Sequence, residues 1–353
     1  MLMPESGQVE TTNVTEVHRI DEVALARYLK DHISDFEQDM SVRQFPIGQS
    51  NPTYQITAGG RSYVLRKKPP GKLLRSAHAV DREFQIINAL KDTDVPVPLA
   101  LHFCRDPDVI GTEFFIMQMV EGRVFHDPSL PGLSNSERSQ YFDDYIRILA
   151  ALHAIDFDSI GLDDFGRPNG YLERQVARWS KQYEASKTAD IWAMDRIIDW
   201  LPKNLPADTS ISIVHGDYRP GNTITHATES RVAAVLDWEL STLGHPLADL
   251  GYCCAAYHGK ISSVGDFSLL DYAALGIPTE EEFVTKYCEY TGRSKIDDLP
   301  YYVIFSLFRS AAIIQGVYKR GLDGNASSDQ ALMFGEMAKA RAATAWDLVE
   351  THF

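Results

Sequence analysis

The spacing of hydrophobic positions changes near Gly122, from an alternating pattern to a helical one. Before that point, short runs rich in β-branched and aromatic residues alternate with polar positions, which predicts β-strands. The predicted strands cover residues 41–45, 53–57, 63–66, 99–104 and 113–118. Apolar residues repeat at helical spacing over 21–31 and 77–90. Five strands and one inserted helix predict a small antiparallel sheet region.

Beyond Gly122 the chain is predicted to be mainly helical. The predicted helices cover residues 136–154, 172–184, 191–201, 249–257, 280–290, 299–317 and 328–349. Ser136 is the expected N-cap of the first of these helices. Short strand-like runs at 213–214 and 231–236 interrupt the helical pattern. We therefore expect an α+β protein with a small antiparallel β lobe over residues 1–121, of which 1–12 form a loose leader, and a larger, mainly helical lobe over 122–353.

Length and charge narrow the class of protein. The 353 residues allow one large or two ordinary domains, each with its own core. A net charge of −15 argues against a nucleic-acid partner, because basic side chains are too few to offset phosphate repulsion. The first ten residues lack a basic region followed by an apolar one, and the longest apolar run, 114–120, is too short to cross a bilayer. We expect a cytoplasmic protein that does not bind membranes.

The four cysteines do not form a C-x-x-C motif, and two of them are adjacent in an apolar helical run. They are Cys104, Cys253, Cys254 and Cys288. A zinc site or a disulfide framework is therefore disfavoured, and we expect buried free thiols.

The candidate chemistry lies where the two strand-like runs of the second part end. Asp217 follows the first run in a His-Gly-Asp turn, Asn222 comes five positions later, and Asp237 ends the second run. Two carboxylates and an amide from loop ends suit phosphoryl transfer with Mg²⁺. We expect Asp217 to orient or accept the proton of an attacking hydroxyl. Asn222 and Asp237 are the predicted metal ligands, because ligation by oxygen alone favours Mg²⁺ over zinc. The alternative for an isolated His-Gly-Asp is an ordinary β-turn, which the register of the other two residues disfavours.

This spacing resembles the protein-kinase pattern H-R-D-x-x-x-x-N followed by D-F-G. With Gly216 in place of the arginine and Asp-Trp-Glu in place of Asp-Phe-Gly, it looks most like the aminoglycoside phosphotransferase/choline kinase branch of that superfamily. The resemblance extends from Phe45 to the last helices. It implies a bilobal protein-kinase-like fold, with ATP and Mg²⁺ as cofactors. It also implies that Asp217, Asn222 and Asp237 converge on one bound magnesium nucleotide.

The resemblance places nucleotide-binding residues in the first lobe. Residues 45–54 occupy the position of the phosphate-covering loop, but they contain only Gly48, so Ser50 and Asn51 are expected to act as further donors. An ordinary hairpin is the alternative. At the adenine edge, the C=O of Gln118 and the N–H of Val120 are expected to form the inter-lobe hinge contacts.

Arg66 stands where the superfamily has the lysine of Val-Ala-Ile-Lys. Strand alternation places it on the same face as Val64, and we expect it to bind the nucleotide phosphates. Lys68 is a candidate only if the strand stays regular that far, and a solvated basic strand end is the alternative. The resemblance implies that Glu83 pairs with Arg66, and a guanidinium suits such a pair.

Three further residues are expected to support catalysis. Arg219 lies two positions after Asp217 and is predicted to stabilise charge on the transferred phosphoryl group. His215 is expected to hold the loop by hydrogen bonding. Asp249 belongs to a segment that resembles the family's Gly-Asp-Pro-x-x-Asp-Leu. It is expected to open a helix, to accept N–H bonds there and to steady the catalytic loop.

The acceptor is predicted to be a small molecule. No Ala-Pro-Glu motif follows, and about a dozen residues separate Asp237 from the next predicted helix, too few for an activation segment. Late helices line the acceptor site in the family, which suggests four candidates. They are Tyr257, Arg309, Gln315 and Tyr318. Arg309 lies in an apolar helix, so we expect it to neutralise either an acidic group of the protein or an anionic substrate.

Residues 63–72 and 305–320 most closely resemble the kinase-like domain fused to some acyl-CoA dehydrogenases. That resemblance implies a hydroxylated acyl substrate, with a CoA thioester as one form. The end of the chain contains no concentrated acidic run that could bind a polycation. The sequence therefore does not favour an aminoglycoside as the acceptor. The alternatives are an inactive nucleotide-binding scaffold of the same fold, an aminoglycoside kinase and an atypical protein kinase.

Overall fold

The computed structural model describes residues 11–46, 51–69, 79–259, 267, 270–324 and 334–353. The chain packs as two compact units. The first unit comprises Met1–Phe125, Asp158–Leu162 and Asn222–Ser241. The second comprises His126–Phe157, Asp163–Gly221 and Thr242–Phe353. The chain therefore returns to the first unit after it has built much of the second. In the described residues, no helix is both long enough and apolar enough to cross a membrane.

The strands of the described residues form one five-stranded sheet and two small ribbons. They are β1 (Met40–Gln44), β2 (Thr53–Ala58), β3 (Arg61–Lys67), β4 (Ala100–Cys104), β5 (Phe114–Gln118), β6 (Ser212–Val214), β7 (Thr223–Thr225), β8 (Val232–Val235) and β9 (Thr242–Gly244). The large sheet has the order β1-β2-β3-β5-β4, and every pair is antiparallel. The prediction of an antiparallel β region with an inserted helix is confirmed.

The described helices complete the two units. They are α1 (Glu22–His32), α2 (Val80–Leu90), α3 (Asn135–Ala154), α4 (Tyr171–Ser186), α5 (Trp192–Trp200), α6 (Pro246–Ala255), α7 (Tyr272–Leu275), α8 (Glu280–Thr291), α9 (Leu299–Leu322) and α10 (Phe334–His352). α1 and α2 belong to the first unit and the others to the second. This distribution agrees with the α+β prediction. The predicted starts at residues 77 and 328 lie outside the described residues.

The five-stranded sheet buries one face against α1. Leu25 and Leu29 of the helix pack with Tyr54, Ile56 and Leu65 in one apolar cluster. Asp21 begins the helix by accepting a hydrogen bond from the Ala24 N–H at 2.9 Å. Because successive side chains of a strand point to opposite faces, Arg66 of β3 is directed away from this cluster.

The β7–β8 hairpin is attached to the first unit by its backbone. Arg123 and Thr225 exchange two hydrogen bonds of 2.8 Å, and the Val235 N–H donates to the Pro96 C=O at 2.8 Å. A Cβ at Gly122 would lie 2.3 Å from the Thr225 carbonyl oxygen, so this close approach requires glycine. These contacts explain why the segment that carries Asp237 packs with the sheet rather than with the helices that precede it.

The second unit is organised around α9, which packs against α4, α6 and α10. Most of its first half is buried, including Tyr301, Tyr302 and Phe305. Gly251 of α6 lies against the α9 backbone, since a Cβ there would be 2.6 Å from the Tyr302 carbonyl carbon. α9 thereby fixes α6, and pairing with β9 fixes β6, the strand that precedes the His-Gly-Asp loop at residues 215–217.

Several boundary predictions were wrong for local reasons. α3 begins after Ser134, not Ser136, because Ser134 and Glu137 form a capping box. Residues 11–12 are not loose, since Thr12 exchanges backbone hydrogen bonds of 2.8 and 2.9 Å with Gln44. Three of the four cysteines are buried as expected, but Cys288 is partly exposed. β7, β9 and α7 were missed, because three or four residues are too few to display a period.

Candidate active site

Arg66 connects two carboxylates in the first unit. Its Nη1 donates to Glu83 of α2, and its Nη2 lies 3.3 Å from the Asp237 Oδ1. The pair with Glu83 that the resemblance implied is therefore present. A guanidinium can make both contacts because its donors diverge in a rigid fork. Lys68 is instead paired with Glu113.

Burial and mutual attraction set the pKa values of Glu83 and Arg66. Glu83 is 1% exposed, and burial raises its pKa to about 7 against the opposing effect of the Arg66 charge. Burial alone would lower the pKa of Arg66, but the charges of Glu83, Asp237 and Glu239 outweigh it and the pKa rises. Arg66 therefore stays cationic, and it is the group that makes ionised Glu83 tolerable in the interior.

The two predicted metal ligands lie at the same end of the β7–β8 hairpin. Asn222 immediately precedes β7, Asp237 follows β8, and the Leu236 N–H donates to the Asn222 C=O at 2.8 Å. Asp237 has a φ of +63°, a left-handed conformation that aspartate tolerates better than most residues. An amide oxygen and a carboxylate at one strand end are oxygen donors of the kind that Mg²⁺ prefers, so the residues fit the metal that the resemblance implied.

The predicted phosphate-covering loop is described only at its end. Gly48 and Ser50 lie outside the described residues. Asn51 is fully buried, and its amide donates to the Glu239 Oε2 at 3.5 Å. This contact joins the start of β2 to the residues that follow Asp237.

The predicted hinge residues lie at the C-terminal end of β5 and just beyond it. Gln118 is the final residue of β5, and its N–H donates to the Leu99 C=O at 2.9 Å. Val120 is the second residue after that strand and is half-buried. Met117, the residue before Gln118, is buried. Contact of Gln118 and Val120 with adenine stays a prediction.

In the second unit, Asp249 supports the backbone of the His-Gly-Asp loop, residues 215–217. Its carboxylate accepts hydrogen bonds from the N–H groups of His215, at 2.6 Å, and Gly216, at 2.9 Å. Burial alone would raise the pKa of Asp249, but hydrogen bonds and charge from His153 and His215 outweigh it and lower the pKa. The carboxylate therefore remains ionised where it supports the loop.

The expected helix-opening role of Asp249 was wrong in one respect. α6 begins at Pro246, and its N-cap is His245, whose ring accepts from the Leu247 N–H. Asp249 lies in the first turn of the helix, and its oxygens accept hydrogen bonds from the loop instead. The ring of His215 is buried and accepts from the Asp217 N–H at 3.2 Å, which agrees with the predicted supporting role.

Each oxygen of the Asp217 carboxylate has its own donor. Tyr252 of α6 donates its hydroxyl to Oδ1, and the Arg219 Nε lies 3.3 Å from Oδ2. The sequence analysis anticipated Arg219 but missed Tyr252. A signal for it existed, because Tyr252 follows Asp249 by three residues and residues at that spacing share one face of a helix.

Arg309 contacts a carbonyl oxygen and two aromatic rings, whereas an acidic group of the protein was one of its two expected partners. Its Nη2 donates to the Gly216 C=O at 2.6 Å, and its guanidinium lies 5.6 Å from the Trp179 ring and 5.7 Å from the Tyr252 ring. Among the described residues no carboxylate forms an ion pair with it. Two aromatic faces and a carbonyl oxygen can hold a half-buried guanidinium in place of a carboxylate.

The other acceptor candidates are engaged in packing. Gln315 is buried, and its amide donates to the Ser186 C=O and the Thr188 Oγ1. Tyr257 donates to the Pro278 C=O at 2.9 Å. The Tyr318 ring lies against Gly335 of α10. Interior groups therefore occupy polar atoms of Gln315 and Tyr257, and contact of these candidates with an acceptor stays a prediction.

A cavity of about 340 Å³ opens beside the catalytic loop within the second unit. Its wall is largely apolar, with contributions from Tyr218, Phe283 and Ile314. Arg219 and Tyr252, which both contact the Asp217 carboxylate, also line it. Space for a small molecule thus adjoins the groups that contact the Asp217 carboxylate.

The antiparallel sheet with its inserted helix, the helical unit and the His-Gly-Asp loop define a protein-kinase-like phosphotransferase fold. The chain belongs to the phosphotransferase enzyme family (APH), whose family model matches residues 41–276. That membership confirms the family resemblance drawn from the sequence.

Individual relatives agree with this assignment. Acyl-CoA dehydrogenase family member 10 of Mus musculus is 45% identical over 344 residues, which are 97% of this chain and 32% of that protein. The chain thus spans about a third of that relative's length. A Ralstonia eutropha structure, provisionally named an aminoglycoside phosphotransferase, is 45% identical with a TM-score of 0.87 over 95% of this chain and 100% of that one. Spectinomycin phosphotransferase bound to ADP and spectinomycin has a TM-score of 0.62 over 92% and 98% of the two chains at 15% identity, which supports the fold alone.

Proposed function

We propose that this protein transfers the γ-phosphoryl group of ATP to a hydroxyl of a small molecule in a reaction that requires Mg²⁺. The observation that carries the proposal is the arrangement around Asp217, where Tyr252 and Arg219 both contact the carboxylate and line a cavity large enough for an acceptor. Membership of a phosphotransferase family supports the same reaction class.

The first unit would bind the nucleotide. Arg66 offers a cation for the phosphates, and Asn222 and Asp237 would hold Mg²⁺. When bound, the metal neutralises phosphate charge. The ion pair with Glu83 restricts the Arg66 side chain before nucleotide arrives, which reduces the entropy lost on binding.

Asp217 would act on the acceptor hydroxyl. As the acceptor oxygen bonds to the γ-phosphorus, the bond from that phosphorus to the bridging oxygen of ADP breaks, and the hydroxyl proton passes to Asp217 and then to solvent. The products are a phosphate monoester and ADP. A carboxylate has about four lone-pair positions, so Asp217 can accept this proton while it keeps its bonds to Tyr252 and Arg219.

The cavity supports an acceptor with an apolar segment. Its wall is mostly aromatic and aliphatic, and its charged members, Arg219 and Arg341, are cationic. Such a wall suits a hydroxyacyl compound, either free or as a CoA thioester, and it repels a polycationic aminoglycoside. The relatives named as acyl-CoA dehydrogenase family members agree with an acyl acceptor.

The test is transfer of labelled phosphate from γ-labelled ATP to a panel of hydroxyacyl compounds, aminoglycosides and a protein extract, with and without Mg²⁺. We expect a labelled hydroxyacyl product that is absent without Mg²⁺ and with Asp217→Asn. Nucleotide binding without transfer to any acceptor would overturn the enzyme assignment in favour of a scaffold. Label in aminoglycosides or in proteins alone would replace the acceptor class.

A further inference from the structure

Both oxygens of the Asp217 carboxylate are contacted by a side-chain donor, and the two donors differ in how rigidly the structure fixes them. The Arg219 Nε lies 3.3 Å from Oδ2 on a side chain that is 38% exposed and belongs to the same loop. The Tyr252 hydroxyl donates to Oδ1 from α6, a buried helix of another segment. A donor on a packed helix fixes the direction of a carboxylate more firmly than one on its own loop.

Tyr252 remains a donor across the working pH range. Burial raises the pKa of its phenol, and the neighbouring negative charge of Asp217 raises it further. The phenol is therefore protonated at neutral pH and can donate its hydrogen. Since the phenol can only rotate about its C–O bond, the position of its ring determines where the carboxylate oxygen is held.

Arg309 fixes that ring. Its guanidinium lies over both Tyr252 and Trp179, at 5.7 and 5.6 Å, and its Nη2 donates to the Gly216 C=O at 2.6 Å. One side chain of α9 thus holds the ring that directs Asp217 and the residue that precedes Asp217. Gly251, next to Tyr252, lies directly on the α9 backbone and anchors the same stretch of α6.

We propose that Tyr252 is a positioning residue, which fixes the Asp217 carboxylate toward the acceptor cavity and is itself held by Arg309. The inference rests on the proposed function of Asp217 and adds a residue that the sequence motif does not contain. Because Tyr252 also lines the cavity, its ring sets the distance between a bound acceptor and the carboxylate. The arrangement supplies orientation in advance, and enzymes lose rate steeply when it is lost.

Tyr252→Phe is the direct test, because it keeps the ring and removes only the hydroxyl. We expect kcat to fall about 10- to 100-fold, the loss typical of a hydrogen bond to a charged group, while nucleotide affinity is unchanged. The loss should fall on kcat with the KM for ATP unchanged, because the orientation of the reacting carboxylate acts on the chemical step. A residue that only packs would not produce that split between kcat and KM.

Tyr290→Phe is the matched control. Tyr290 of α8 also donates to a carboxylate, the Asp143 Oδ2 at 2.9 Å, but the pair is exposed and lies outside the cavity wall. Its removal should change neither kcat nor the KM for ATP. Arg309→Gln should reproduce the Tyr252→Phe pattern at smaller amplitude, so the inference stays testable if Tyr252→Phe does not fold.

A second readout does not depend on any acceptor. Crystal structures of the wild-type protein and Tyr252→Phe are expected to show one Asp217 rotamer in the first and displacement or several rotamers in the second. Displacement without phosphate transfer to any acceptor would retain the positioning role and reject the proposed function. An undisturbed carboxylate and an unchanged kcat, in a wild-type enzyme that does transfer phosphate, would overturn the positioning role alone.

Discussion

The Arg66 Nη2 lies 3.3 Å from the Asp237 Oδ1. The cation expected to bind phosphate therefore contacts the carboxylate expected to bind the metal. Both belong to the first unit, where β3 and the β7–β8 hairpin supply them. A single guanidinium thus connects the buried Glu83 with the candidate metal ligand, and a change at Arg66 should affect both nucleotide binding and stability.

Arg66→Gln should weaken nucleotide binding about tenfold or more, because a donor to phosphate loses its charge. Nucleotide titration by calorimetry measures this. Lys68→Gln is the control, since Lys68 is paired with Glu113 and not with Asp237. Equal loss in both variants, or loss in Lys68→Gln alone, would show that the phosphate-binding cation was wrongly assigned.

The same Arg66→Gln variant should be destabilised in a pH-dependent way. Burial raises the pKa of Glu83 to about 7, above that of an unfolded chain, so protonated Glu83 favours the folded state. The stability that it contributes at low pH is lost as pH rises through this region, and without the guanidinium the loss grows. Unfolding midpoints should separate from those of the wild type more at pH 8 than at pH 6. A constant separation would contradict a role for Glu83 ionisation.

Asp237→Ala should weaken nucleotide binding in the presence of Mg²⁺ while binding without the metal changes little. The reason is that a carboxylate oxygen is a primary ligand for Mg²⁺, and alanine offers none. Titrations with and without the metal separate the two effects. A variant with a normal Mg²⁺ requirement would remove Asp237 from the metal site.

Asp217→Asn should lower turnover roughly 10²- to 10⁴-fold with nucleotide affinity intact, because it removes the proton acceptor without removing a phosphate ligand. Single-turnover transfer of labelled phosphate measures the chemical step. Retained turnover would exclude Asp217 as the base.

Asp249→Asn should lower the free energy of unfolding by about 1–3 kcal/mol, because an amide cannot accept both loop N–H groups without opposing one of them with its own N–H. The folded-state pKa of Asp249 is depressed, so its carboxylate stabilises the protein above the unfolded value of about 3.9, and that contribution is lost as pH falls through the folded value. Urea unfolding of the variant should therefore show a smaller decline in acid than the wild type. An identical acid decline would mean that other groups cause it.

Gly251→Ala should destabilise the protein by about 1–3 kcal/mol through overpacking, because its Cβ would lie 2.6 Å from the Tyr302 backbone. Gly316→Ala in α9 is the matched control. Its Cβ would meet only side-chain ends at 3.7 and 3.8 Å, so the helix propensity of alanine should raise stability by about 0.5–1 kcal/mol. Opposite signs for the two substitutions in thermal unfolding are the expected result.

The sequence by itself determined the α+β class, the antiparallel sheet and the residue types of the candidate site. Alternation and helical periodicity are local properties of the sequence, so they predict strands and helices directly. The spacing of Asp217, Asn222 and Asp237 can also be recognised in the sequence. The pairing of Arg66 with Glu83 was also anticipated, because the family resemblance supplied a contact across 17 positions of sequence.

Only the tertiary structure decided which side chains meet across distant segments. Tyr252 reaches Asp217 because α6 packs on α9 through Gly251, and Arg309 reaches a carbonyl and two rings instead of a carboxylate. The side chains of Gln315 and Tyr257 likewise donate hydrogen bonds to backbone carbonyl groups of distant segments. Periodicity specifies the face on which a side chain lies, but its partner depends on the packing of helices that are far apart in sequence.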